Sequence, residues 1–169
     1  MNIQEVVYCD YRNKIKSGDL LAWDKGRKGF IAGLLMKIVK LATGSKYCHV
    51  GIAWKSGGRL FVIEATPPAV RLTPLSVIKS FYHIPMKIRW LSKYNDYLLD
   101  KIGLKYSIKD CIRAYFGKLS PDNDEYQCAE LACEFYKSIG IDLGESYEPG
   151  ILVKAVILKR NTNIVLVCK

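Results

Sequence analysis

Histidine is scarce in this 169-residue chain, with only His49 and His83 present. None of the six cysteines, at positions 9, 48, 111, 128, 133 and 168, forms a CxxC pair. A structural zinc site with the usual Cys/His spacing is therefore not the reading, and no metal or cofactor is expected. Long apolar runs are missing too. The most apolar stretch, 30–42, carries Lys37 and Lys40, which makes it too short and too charged to span a bilayer. Residues 1–14 are polar and charged without an apolar core, so no secretory signal is visible. Reduced thiols in a cytoplasmic setting are the expectation. No internal repeat, low-complexity tract or Pro/Gly/Ser linker divides the chain, and one domain over 1–169 is expected.

Charge is what the chain has in excess, with 26 Lys and Arg against 16 Asp and Glu and a formal net charge of +10. That balance raises encounter rates with anionic partners. The lysines are scattered, with no run of five and no stripe alternating with aromatics. The excess therefore reads as a solvated face able to meet an anionic polymer or membrane surface. No dedicated nucleic-acid binding is expected. Eleven tyrosines favour strands over a pure helical bundle.

Along the chain, Lys16-Ser17-Gly18-Asp19 makes a turn into a short strand, 20–23. Residues 30–42 have helical spacing, stopped by Gly44. Residues 50–54 and 59–64 flank Ser56-Gly57-Gly58 and read as a hairpin, ended by Pro67-Pro68. Further strands are expected at 70–72 and 86–90, and helices at 93–102 and 108–116. A polar loop, 117–125, leads into a helix at 128–139 closed by Gly140. Two late strands, 155–158 and 164–167, straddle the turn 160–163. Strands and helices fall in separate blocks, so the expected class is α+β with a mainly antiparallel sheet packed against helices.

His49 begins a strand beside small residues, whereas His83 lies before Pro85 and reads as structural. If Ser56-Gly57 make a two-residue turn, His49 faces Glu64 directly. If Gly57-Gly58 make it, His49 faces Thr66 and Glu64 is diagonal. Both registers put His49 and Glu64 on one face, because side chains alternate with period two. Glu64 also ends an apolar run, where an unpaired carboxylate is costly. A carboxylate bound to imidazole fixes its tautomer and strengthens it as a base. Such a base calls for a nucleophile. Cys128 stands in the first turn of a helix, where backbone N–H groups and the dipole favour a thiolate and can donate to an oxyanion. Cys133 reads as a small buried apolar residue, and the other four cysteines read as structural.

In this order the residues resemble the NlpC/P60 superfamily, in particular its circularly permuted papain-like branch of YiiX/YebB-like proteins. The matching stretches are Lys16-Ser17-Gly18-Asp19-Leu20-Leu21, Tyr47-Cys48-His49-Val50-Gly51-Ile52-Ala53, Val62-Ile63-Glu64-Ala65-Thr66 and Tyr126-Gln127-Cys128-Ala129-Glu130-Leu131. A region containing Gly103 and Tyr106 precedes the last. One departure is Cys48, where serine is common. The resemblance implies a cysteine hydrolase in which His49 activates Cys128 and Glu64, with Thr66 as fallback, orients His49. Tyr126 or Tyr106 is an auxiliary hydroxyl. Peptide, peptidoglycan or acyl substrates are implied. Thioester, acyl-transfer or lipid-directed chemistry is the alternative, and a non-catalytic binding module on the same fold is the second. A phage or viral source would supply delivery to a cell wall without a signal peptide.

Overall fold

The computed structural model describes residues 3–25, 44–109, 125–144 and 148–169. Its sheet is organised by one hairpin, β3 (His49–Ser56) and β4 (Arg59–Thr66). Gly57 and Gly58 both have positive φ, 54° and 74°, which a two-residue hairpin turn with matching twist requires. Ser56 pairs with Arg59 and Ile52 with Ile63, so the turn is the Gly57-Gly58 alternative.

The chain continues past Pro67-Pro68 into β5 (Ala69–Pro74), antiparallel to β4. On the other side of β3 lie β2 (Leu20–Trp23) and then β6 (Ser80–Ile84), both antiparallel to their neighbours. β9 (Val165–Cys168) pairs antiparallel with β6, and β1 (Gln4–Val7) pairs parallel with β9. Two-residue strands β7 (Lys105–Tyr106) and β8 (Glu125–Tyr126) pair in parallel beyond β5. The described strands form one mixed sheet in the order β1-β9-β6-β2-β3-β4-β5-β7-β8.

Four α-helices complete the α+β class among the described residues: α1 (Tyr8–Tyr11), α2 (Lys93–Asp100), α3 (Cys128–Ser138) and α4 (Pro149–Arg160). Helix α3 packs on β3 and β4. Its Leu131, Ala132, Phe135 and Tyr136 join Leu20, Val50, Ile52, Ile63 and Ala65 in the larger buried cluster. A second cluster holds Tyr8, Tyr11, Leu21, Trp23, Ala53, Val62 and Phe81. Strand alternation accounts for the division, since successive residues of β2, β3 and β4 point to opposite sides. Burying each large side chain stabilises by about 1.5–3 kcal/mol. Truncating Phe135, which has no exposure, to alanine would cost about 3–5 kcal/mol.

Three sequence expectations differ from what is found. Residues 155–158 are helical, inside α4, which Pro149 starts and the left-handed Asn161 ends. Residues 86–90 form no strand. The Met86 backbone is taken instead by side chains: its N–H donates to Asp19 Oδ1 at 2.9 Å, and its carbonyl accepts from Arg160. The strand in that region is β6, and His83 lies within it rather than in a loop. The expected helices at 30–42 and, from 110 onward, at 108–116 lie outside the described residues, as does Cys111.

Candidate functional site

His49 is the first residue of β3 and is buried. Its backbone partner across the sheet is Trp23, whose ring lies 5.3 Å from the imidazole, centroid to centroid. Glu64 lies near the end of β4 and is fully buried. In the observed register it sits diagonally from His49, and the imidazole closes the gap: Nε2 and Glu64 Oε2 are 2.8 Å apart. Thr66, the fallback orienter, is buried at the end of β4 and pairs with Ala69. The carboxylate that meets His49 is that of Glu64.

Two residues that the sequence reading passed over complete this arrangement. On β5, the Thr73 hydroxyl donates to Glu64 Oε1 at 3.0 Å and Arg71 Nε donates to the same oxygen at 3.3 Å. A signal for them existed: 71 and 73 are the polar positions of Val70-Arg71-Leu72-Thr73, and Arg71 stands opposite Glu64 in the ladder. A carboxyl group accepting from a hydroxyl and a guanidinium is in its ionised, acceptor-only form. We therefore assign the hydrogen to His49 Nε2, which leaves Nδ1 with the basic lone pair.

Cys128 is the first residue of α3. Gln127, in extended conformation, caps the helix. Its Oε1 accepts from Ala129 N at 3.2 Å, and its own N–H donates to Glu130 Oε2 at 3.1 Å. This reciprocal box holds the helix start rigid, where the dipole favours negative charge. The Cys128 Sγ lies 3.8 Å from Gln127 Oε1. Cys128 packs in the larger cluster with Val50, Ile63 and Ala65, the chain neighbours of His49 and Glu64. Alternation places His49 and Glu64 on the side of Ala53 and Val62, whereas α3 covers the side of Val50 and Ile63. His49 stands where β3 begins and Glu64 near where β4 ends, at the margin of the face opposite α3.

The other candidates fall into place around this core. Tyr126 is buried two residues before Cys128, and its hydroxyl accepts from Lys101 Nζ at 2.5 Å. Tyr106 lies beside it on β7. Burial, with Glu130 and Glu134 nearby, pushes the Cys133 thiol up to about 12. Burial and a hydrogen bond to Glu5 raise Cys168. His83 belongs to a separate buried network, with Nε2 at 2.9 Å from Asp19 Oδ2 and Nδ1 at 3.1 Å from the Tyr11 hydroxyl. Among the described residues, no three His, Cys, Asp or Glu side chains are placed to hold a metal ion. No helix among them is long and apolar enough to cross a membrane.

No protein-family model and no curated protein matches the chain. Among solved structures it resembles the metalloprotein YiiX of Escherichia coli O157:H7, of the uncharacterised domain family DUF1105. The identity is 19%, the TM-score 0.60, and the match covers 89% of this chain and 87% of that one. The two chains share a related fold.

Proposed function

We propose that the chain is a cysteine hydrolase of the circularly permuted NlpC/P60 type, transferring an acyl group to water through Cys128. The observation that carries this reading is the buried 2.8 Å contact between His49 Nε2 and Glu64 Oε2, on the strands that α3 packs against. A histidine held in that way has Nδ1 free for a proton, and Cys128 opens the capped helix α3. The order of histidine, carboxylate and cysteine along the chain is the one the resemblance to the permuted branch implies.

The reaction runs as follows. His49 Nδ1 takes the Cys128 proton, and the thiolate attacks the substrate carbonyl carbon. The Cys128 backbone N–H, at the helix start, is the oxyanion donor. Collapse breaks the bond to the leaving group, which departs with the proton from His49, and a thioester remains. Water then gives its proton to His49 and attacks the thioester, and the C–S bond breaks to release the acid and restore the thiol. Glu64 stays ionised and holds the imidazole throughout.

Peptide and isopeptide amides, including those of peptidoglycan, are the proposed substrates. The test is an electrophile screen with peptide, isopeptide and thioester probes read by mass spectrometry. Label on Cys128, lost in H49A, is the expected result. Hydrolysis of a confirmed substrate by Cys128→Ala would overturn the proposal.

A further inference from the structure

Glu64 has no solvent exposure, and its two oxygens are held from two directions. Oε2 meets His49 of β3. Oε1 takes Thr73 and Arg71, both of β5, at 3.0 and 3.3 Å. With donors on one oxygen only, a glutamate carboxylate still turns about its last torsion, which is broad and soft. Donors on both oxygens from the two flanking strands stop that turn. The pleat makes it possible: Arg71 is directly opposite Glu64 in the ladder, and Thr73 is the next residue on that face. Arg71 keeps 45% of its side-chain surface exposed. Its contact with Glu64 is the one that bears on the site.

We propose that Arg71 and Thr73 are positioning residues for hydrolysis. By occupying Oε1 they present Oε2 to the imidazole and hold His49 in the Nε2–H tautomer, which keeps Nδ1 as the base for Cys128. Arg71 adds a second effect. Its positive charge keeps Glu64 an acceptor while His49 gains and loses the thiol proton. The catalytic consequence rests on the proposed role of Cys128; the tautomer does not.

The experiment uses the full chain with ring-15N-labelled histidine. There are two histidines, and His83, with its own partners Asp19 and Tyr11, is an internal reference for an intact fold. In the unmodified chain His49 should show Nε2 protonated and Nδ1 unprotonated near neutral pH. In the double variant R71M/T73V the His49 signals should move toward a mixture of tautomers while those of His83 stay put. Iodoacetamide labelling of Cys128 should fall about tenfold. Thr73→Ser should restore the tautomer in a chain that keeps Arg71, and Thr73→Val alone should shift it part of the way.

A double variant with the original tautomer overturns the inference, whatever its labelling rate. The same holds if labelling falls while the tautomer is unchanged. If the tautomer responds as expected but C128A still hydrolyses substrate, the positioning of His49 stands and the cysteine mechanism fails.

Discussion

Gly51 lies against Glu64, two residues along β3 from His49. Extending the register of Ile52 opposite Ile63 puts Gly51 opposite Glu64 and leaves His49 on the diagonal. Diagonal Cβ atoms are about 7–8 Å apart, within reach of long side chains. A Cβ at Gly51 would stand 3.2 Å from Glu64 Cβ, 3.1 Å from the Ile63 carbonyl and 2.5 Å from Val62 Cγ2. The small residue is thus what lets β3 lie this close to β4 at Glu64, next to the His49–Glu64 pair.

Gly51→Ala should therefore lower stability by about 1–3 kcal/mol through overpacking, and it should loosen the hold of Glu64 on His49. Urea unfolding measures the first effect and the His49 ring signals the second. An unchanged unfolding midpoint would show that the space is not as tight as the geometry implies.

Glu64→Gln should retain the fold with a cost of about 1–3 kcal/mol, because an amide has one acceptor oxygen for donors that now share two. The amide N–H₂ also favours the wrong histidine tautomer. By analogy with carboxylate-to-amide exchange in serine proteases, the rate on a confirmed substrate should fall on the order of 10³–10⁴-fold. Comparable turnover by the variant would remove Glu64 from the mechanism.

The cysteines should separate cleanly on alkylation. At pH 7.5 the Cys133 thiol, pushed up to about 12 by burial, is protonated and unreactive, and Cys168 is raised as well. Cys9 is exposed and supplies the surface background, removable as Cys9→Ser. Peptide mapping should place the earliest site-specific label on Cys128. Equal rates for Cys128 and Cys133 would argue against an activated thiol.

How far these features were legible depends on whether local pattern or distant pairing decides them. The central hairpin could be read because Gly57-Gly58 and alternation are local signals, and parity alone put His49 and Glu64 on one face in either register. The start of α3 was legible for the same reason. Strand β1 was not: Gln4 and Glu5 are exposed and polar, and only pairing with β9, at the far end of the sequence, orders them. The apolar run 155–158 reads as a strand, while the proline start of α4 and packing of Leu152, Val153 and Val156 make it helix. Met86, Ile88 and Trp90 alternate as a strand would, yet Asp19 and Arg160 claim the Met86 backbone. Arg71 and Thr73 went unnoticed because their importance depends on what faces them across β4.

Asp19→Asn offers a control without a role in the proposed chemistry. Asp19 accepts from Lys16 N, Met86 N and His83 Nε2 at 2.8–2.9 Å. Breaking a buried network of this kind costs about 3–5 kcal/mol. Thermal unfolding should fall markedly, while Cys128 labelling at a temperature where the variant remains folded should be unaltered. A selective loss of labelling would tie the His83 network to the site.

The parallel pairing of β1 with β9 has a consequence for self-association. β1 covers the outer backbone of β9, and its exposed Gln4 and Glu5 put a polar, acidic margin on that side of the sheet. A chain trimmed after Val7 would present the N–H and C=O groups of Val165–Cys168 as an open template for another strand. β9, β6 and β2 separate that margin from the hairpin bearing His49 and Glu64. The trimmed protein should therefore form dimers or larger assemblies in sedimentation while its histidine–glutamate pair is left undisturbed.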